Sequence, residues 1–198
     1  MVKIRLTKNE LKKQKDALKR YDQFLPTLIL KKQQLQSELI KIRRDMEKIK
    51  KEKAYVKAEI YRWVDVFSEE VSEEGLVEVK EIITLLGNIA GIDIPLFKEV
   101  EFEDRSYDLM LTPLWVDKGV GALKKTITMN AEQAVLKEQE RLVKEELRIT
   151  TQRVNLFEKV MIPRTKENIR KIQIYLGDLR TAAVVTGKIA KGKILNAA

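Results

Sequence analysis

Apolar side chains return every seventh residue across the first third of the chain, and that rhythm limits what it can fold into. With Leu28 at heptad position d, the d positions read Leu28, Leu35, Ile42, Ile49, Val56 and Trp63. The a positions of the same frame read Leu11, Leu18, Leu25, Lys32, Leu39, Met46, Lys53, Ile60 and Phe67. A seven-residue repeat held this long drifts around a straight helix, so it imposes a left-handed supercoil and requires a partner helix. High charge (35%) with only 8 Gly and 4 Pro agrees with a coiled coil rather than a compact core.

The first helix is predicted to start at Thr7, because Thr7 and Glu10 have capping-box spacing, and to run to about Phe67, before the turn-prone segment Ser72 to Gly75. Roughly sixty residues at 1.5 Å each would span on the order of 90 Å. A second helix of similar length is expected after Gly119 and Gly121. Its seam reads Val143, Leu147, Thr150, Val154, Phe157 and Met161, widened by Val135, Leu142, Ile149 and Leu156. Beyond Pro163 the stripe resumes one residue out of phase at Ile169, Ile172, Leu176 and Leu179.

Equal lengths predict an antiparallel hairpin in which level residues have numbers summing to about 189. Pro26 and Pro163 satisfy that sum, so either the pair bends there together or one proline simply starts or ends a helical segment. The expected fold is therefore mainly α: a long antiparallel two-helix coiled coil with a short α+β insert containing a β-hairpin. Its parts are 1–74, 75–119, and 120–198 with a flexible basic tail, together one elongated domain. In the insert, Val79 and Val100 to Glu103 lie in alternating stretches, with a turn near Gly87 or Gly91; Glu81 to Leu86 fits a helical turn equally well.

The chain has neither Cys nor His, which removes thiolate chemistry and the commonest general base and metal ligand. No catalytic, cofactor-binding or metal site is expected. No apolar run approaches the roughly 18 to 20 residues that span a bilayer, and the N-terminus lacks a signal-peptide core, so a cytoplasmic protein without membrane insertion is expected. The net charge of +9 is unevenly spread: residues 69–108 hold twelve acids and three bases, near −9, leaving the remainder near +18. One reading is a merely solvated surface; the other is an acidic and a basic end facing different partners. Gly187 to Lys193 has phosphate-loop spacing, but Ile194 stands where that loop needs Ser or Thr. Basic pairs such as Arg43-Arg44 are interleaved with acids and have no stacking aromatics, so nucleic acid is not an expected partner. Lys32 and Lys53 at a positions either specify register or run their stems along the seam.

Arg153-Val-Asn-Leu-Phe-Glu158, then Ile162-Pro163 and Ile169 to Leu176, resemble the C-terminal signature of the D subunit of V-type and A-type ATPases. Leu6 to Leu11 and Leu28 to Leu35 are similar to that family's opening helix. Leu25-Pro26 departs from the glycine-containing stretch of typical members. The resemblance implies a non-catalytic central rotor shaft whose termini enter the ring of catalytic and nucleotide-binding subunits. Its other end, with the small F subunit, would stand on the membrane-ring adaptor, so that the chain is peripheral to the membrane through the complex. Lys188, Lys191 and Lys193 are then expected to contact the ring, with the F subunit around Gly75 to Trp115. A prefoldin-like chaperone and a generic coiled-coil scaffold are the competing readings.

Overall fold

The computed structural model describes residues 4–62, 77–103, 113 and 115–197. In chain order they form helix α1 (Lys8–Tyr61), strands β1 (Glu78–Ile89) and β2 (Ile92–Glu103), helix α2 (Val116–Leu156), a π-helical turn (Phe157–Met161) and helix α3 (Ile162–Ala197). The fold is mainly α, an antiparallel two-helix coiled coil with a two-stranded hairpin between its helices. Two compact units divide the chain: Gln33–Arg148, and Met1–Lys32 with Ile149–Ala198.

Helix α1 starts where the capping signal places it. The Glu10 N–H donates to Thr7 Oγ1 at 3.3 Å, and the Leu11 N–H to the Thr7 carbonyl at 3.0 Å. No glycine interrupts its 54 residues, and Pro26 lies inside it on an exposed face, where water can satisfy the carbonyl that proline leaves unpaired. Helix α2 starts at Val116, with Gly119 and Gly121 inside it rather than before it. Pro113 supplies the break instead: its carbonyl accepts the Val116 N–H at 3.0 Å, and Asp117 in the first turn suits the positive end of the helix dipole.

In the unit Gln33–Arg148, Leu35, Leu39 and Ile42 of α1 pack with Val143 of α2, and Met46, Leu136 and Leu147 close round them. A second cluster joins Ile49 and Val56 to Met129. The hairpin adds its turn end to the first cluster through Ala90 and Ile92, while Ile94 is fully buried. Gln139, itself buried, clasps β2 by donating to the Pro95 carbonyl at 2.5 Å. Proline within a strand offers no N–H, and its carbonyl here belongs to α2.

β1 and β2 are antiparallel, and Glu81 to Leu86 is strand rather than helical turn. The two-residue turn is Ala90–Gly91, both at positive φ (52° and 80°), as the favoured tight hairpin turn requires. Asn88 braces it, accepting from the Gly91 N–H at 3.0 Å and donating to Asp93 at 2.8 Å. Gly87 lets Leu96 lie against the strand: a Cβ there would be 2.6 Å from Leu96 Cδ1, and the exposed leucine side chain would have to swing aside.

In the other unit, α1 meets the π-turn and α3. The Tyr21 and Phe157 rings meet with centroids 5.3 Å apart, and Asn168 Nδ2 donates to Gln14 Oε1 at 3.4 Å. Their numbers sum to 178 and 182; in the unit Gln33–Arg148, Arg43 with Glu140 and Lys53 with Asn130 both sum to 183. The expected 189 is therefore too large, and Pro26 and Pro163 are not level. The sum of 189 follows from setting Phe67 beside Ala122 at the start of the second helix, whereas α2 begins earlier, at Val116. Pro163 occupies the second position of α3, immediately after the π-turn, so it opens a segment instead of sharing a bend.

Candidate functional site

The seam positions lie as follows. Leu35, Ile42, Ile49 and Val56 are buried, as is Val154; Leu28, Leu147, Phe157 and Met161 are half-buried; Trp63 and Phe67 lie outside the described residues. Thr150, a predicted seam position, is buried. Sequence periodicity misses Thr165 and Asn168, which are as buried as the apolar positions, and only their helical spacing relative to Val154 and Ile172 carries a signal.

Thr165 satisfies its hydroxyl by donating to the Met161 carbonyl at 2.7 Å, one turn back. Asn168, Gln14 and Glu10 form a chain of side-chain hydrogen bonds, Gln14 Nε2 donating to Glu10 Oε1 at 2.9 Å. Lys53, at an a position, extends its Nζ out of the seam to Asn130 Oδ1 (2.5 Å) and Gln133 Oε1 (2.8 Å). That pairing combines a stem against apolar neighbours with polar contacts that exist in one alignment only.

Charge reinforces the antiparallel match between α1 and α2. Glu140 accepts from Lys144 at 2.8 Å within α2 and from Arg43 of α1 at 2.9 Å. Hydrogen bonds from Lys144 and then Arg43 hold its carboxyl below the usual carboxylate range. Glu132 goes the other way, pushed up first by burial and then by the nearby charges of Glu52 and Asp45.

Among the described residues, two of the surfaces with exposed apolar side chains bear on function. The first is the hairpin, where Leu86 is 89% exposed and Ile82, Leu85 and Leu96 are also open. Its lysines are engaged locally, Lys80 with Glu101 at 3.1 Å and Lys98 with Glu99 at 2.8 Å, and both are raised in pKa by those carboxylates. Glu78, Glu81, Asp93 and Glu103 add acidic charge to the ribbon, whose exposed leucines lie on both faces, Leu85 opposite Leu96 and Leu86 opposite Pro95.

The second surface is the end of α3. Leu179, Val184, Val185, Ile189, Ile194 and Leu195 are all exposed, beside Lys188, Lys191 and Lys193. No acid follows Asp178. This stretch is helix through Ala197, not the flexible tail expected, and the phosphate-loop spacing of Gly187 to Lys193 is wound into it. Two glycines do not stop the helix, because alanine, leucine and lysine around them favour it.

Among the described residues, no three acidic side chains gather to hold a metal ion, and no helix is long and apolar enough to cross a membrane. Both uncovered surfaces are suited to binding protein.

Residues 10–192 match the family of the ATP synthase D subunit. The chain belongs to that family. It is 52% identical over 195 residues to the V-type ATP synthase D subunit of Borreliella burgdorferi, covering 98% of this chain and 96% of that protein. The corresponding protein of Chlamydia pneumoniae is 36% identical over 196 residues (98% of this chain, 94% of that one), and that of Chlamydia caviae 34% over 195 residues (96% and 93%). The likeness to these D subunits thus runs through both helices and the insert, including hairpin residues whose pattern alone is weak.

Proposed function

We propose that this chain is the central-stalk rotor of a V/A-type ATPase, a non-catalytic subunit that carries torque between the nucleotide-hydrolysing ring and the ion-translocating membrane ring. The full-length match to the D-subunit family carries the reading, and the packing within each unit supports it. Torque transmission needs helices that cannot slip past each other. In the unit Gln33–Arg148 the interlocking of Leu35, Leu39 and Ile42 with Val143, and the Lys53 and Arg43 contacts, oppose slipping.

The end of α3 then inserts into the ring of catalytic and nucleotide-binding subunits. A lone helix of this length, with two internal glycines, is marginal in water and gains stability when enclosed. Lys188, Lys191 and Lys193 contact the ring there. The acidic, apolar hairpin lies within the footprint of the F subunit, around Gly75 to Trp115, toward the membrane-ring adaptor. The chain is peripheral to the membrane through these partners.

The test is reconstitution of the ATPase with and without this chain. With it, ATP hydrolysis drives ion transport; without it, transport is lost whether or not the ring still hydrolyses ATP. Ion transport coupled to hydrolysis in its absence overturns the proposal.

A further inference from the structure

A two-stranded ribbon satisfies only part of its own backbone. In each strand alternate residues turn N–H and C=O toward the partner strand, and the others turn theirs outward. A two-residue hairpin closes on a hydrogen-bonded pair, here Ile89 with Ile92. Counting back from the turn, Gly87–Ile94 and Leu85–Leu96 are hydrogen-bonded pairs, whereas Asn88–Asp93, Leu86–Pro95 and Thr84–Phe97 direct their backbone groups outward. Pro95 agrees with the count, because a residue without an N–H stands where the ribbon needs none.

The two outer edges differ. On β2 the outward Pro95 carbonyl is taken by Gln139 of α2. On β1, no side chain among the described residues bonds to the backbone of Thr84, Leu86 or Asn88, and all three residues are exposed. Proteins blunt open edges with charge, proline or an inserted residue. Here those devices lie elsewhere: the register skips Lys80 in β1 and Lys98 in β2, and the proline is in β2. From Thr84 to Asn88, β1 carries no charge, no proline and no skipped residue.

We propose that the β1 edge at Thr84–Asn88 takes up an extended segment of another protein as a third strand, one in which basic residues alternate with apolar ones. Its apolar side chains lie beside Leu85 and Ile89, on the face that carries buried Ile94. Its basic side chains lie on the other face, their stems over Leu86 and their charges toward the ribbon's acids. Residues 78–103 hold six acids and two lysines, so a second copy brings like charge to like, and a basic segment is drawn in. The inference rests on the hairpin being a partner surface and is separate from torque transmission, since its test uses the isolated chain.

Leu86→Pro removes one outward N–H and no bond between β1 and β2, whereas Leu86→Ala keeps that N–H and removes the apolar side chain. The probe is a blocked seven-residue peptide of alternating lysine and valine, titrated into the full-length chain by fluorescence anisotropy. The parent should bind it, Leu86→Ala should bind within about three-fold of the parent, and Leu86→Pro should bind at least about ten-fold more weakly. A glutamate–valine peptide of the same length should also bind at least about ten-fold more weakly. Amide hydrogen exchange in the parent gives a second readout. Saturating lysine–valine peptide should slow the Thr84, Leu86 and Asn88 amides at least about ten-fold, and Leu85, Gly87 and Ile89 far less.

Absence of saturable binding to the parent overturns the proposal, as does parent-like binding by Leu86→Pro. Equal loss in Leu86→Ala and Leu86→Pro, with slowed exchange spread evenly along the strand, replaces strand addition by apolar contact and overturns it too. Equal binding of the two peptides overturns the basic partner. A parent dimer that Leu86→Pro dissolves, seen by analytical ultracentrifugation, gives the edge to a second copy instead.

Discussion

Thr150 is 1% exposed, and its hydroxyl finds no hydrogen-bond partner among the described residues. A buried hydroxyl without a partner is a desolvation cost, so Thr150→Val, which keeps the shape, is expected to stabilise the protein by about 1 kcal/mol in urea unfolding. Glu140 supplies a residue-scale dependence on pH. Its carboxyl titrates lower in the folded state than in the unfolded one, so its contribution is complete above the ordinary carboxylate range and is lost as pH falls through the folded value. The urea midpoint should therefore fall on acidification, and Glu140→Gln should flatten part of that fall; an unchanged slope would count against the Arg43–Glu140 link. Such residues are hardly legible in the sequence. Thr150 reads as one more seam position, and nothing in the local pattern marks Asn168 as the partner of a glutamine 154 residues away.

Elements are legible in proportion to the length of their repeat. α1 carries its heptad through unbroken residues and a capping signal, so its start and its buried side can be read directly. β1 cannot, because Glu81 to Leu86 contains an apolar run too short to separate strand from helix by periodicity. What decides for strand is the register with β2 and the docking of Ala90 and Ile92, both tertiary facts. At the start of α2, Gly119 and Gly121 look like the stronger break, yet Pro113 is the one that acts. Two substitutions test these elements. Leu35→Ala should cost about 3 kcal/mol, since the side chain is fully buried among α1, α2 and the hairpin. Gly91→Ala should cost about 1 kcal/mol by forcing a Cβ into the left-handed region at φ 80°. Chemical unfolding measures both, and a Gly91→Ala chain as stable as its parent would rule out the turn as a determinant of the hairpin.

For the whole molecule, charge at the end of α3 is the most direct handle on the proposed function. Replacing Lys188, Lys191 and Lys193 together by Glu puts three acids on a helix end that has none, and is expected to weaken assembly with the ring and lower ATP-driven transport. Unchanged coupled transport would remove these lysines from the ring contact. The division of the chain into two units also has a consequence for biosynthesis. Gln33–Arg148 is continuous in sequence and has all its residues once Arg148 has left the ribosome, whereas Met1–Lys32 must wait for Ile149 and the residues beyond it. Residues 1–32, made before that unit, thus find their neighbours after it, and their apolar stripe stays open to chaperones or to stray pairing in the interval.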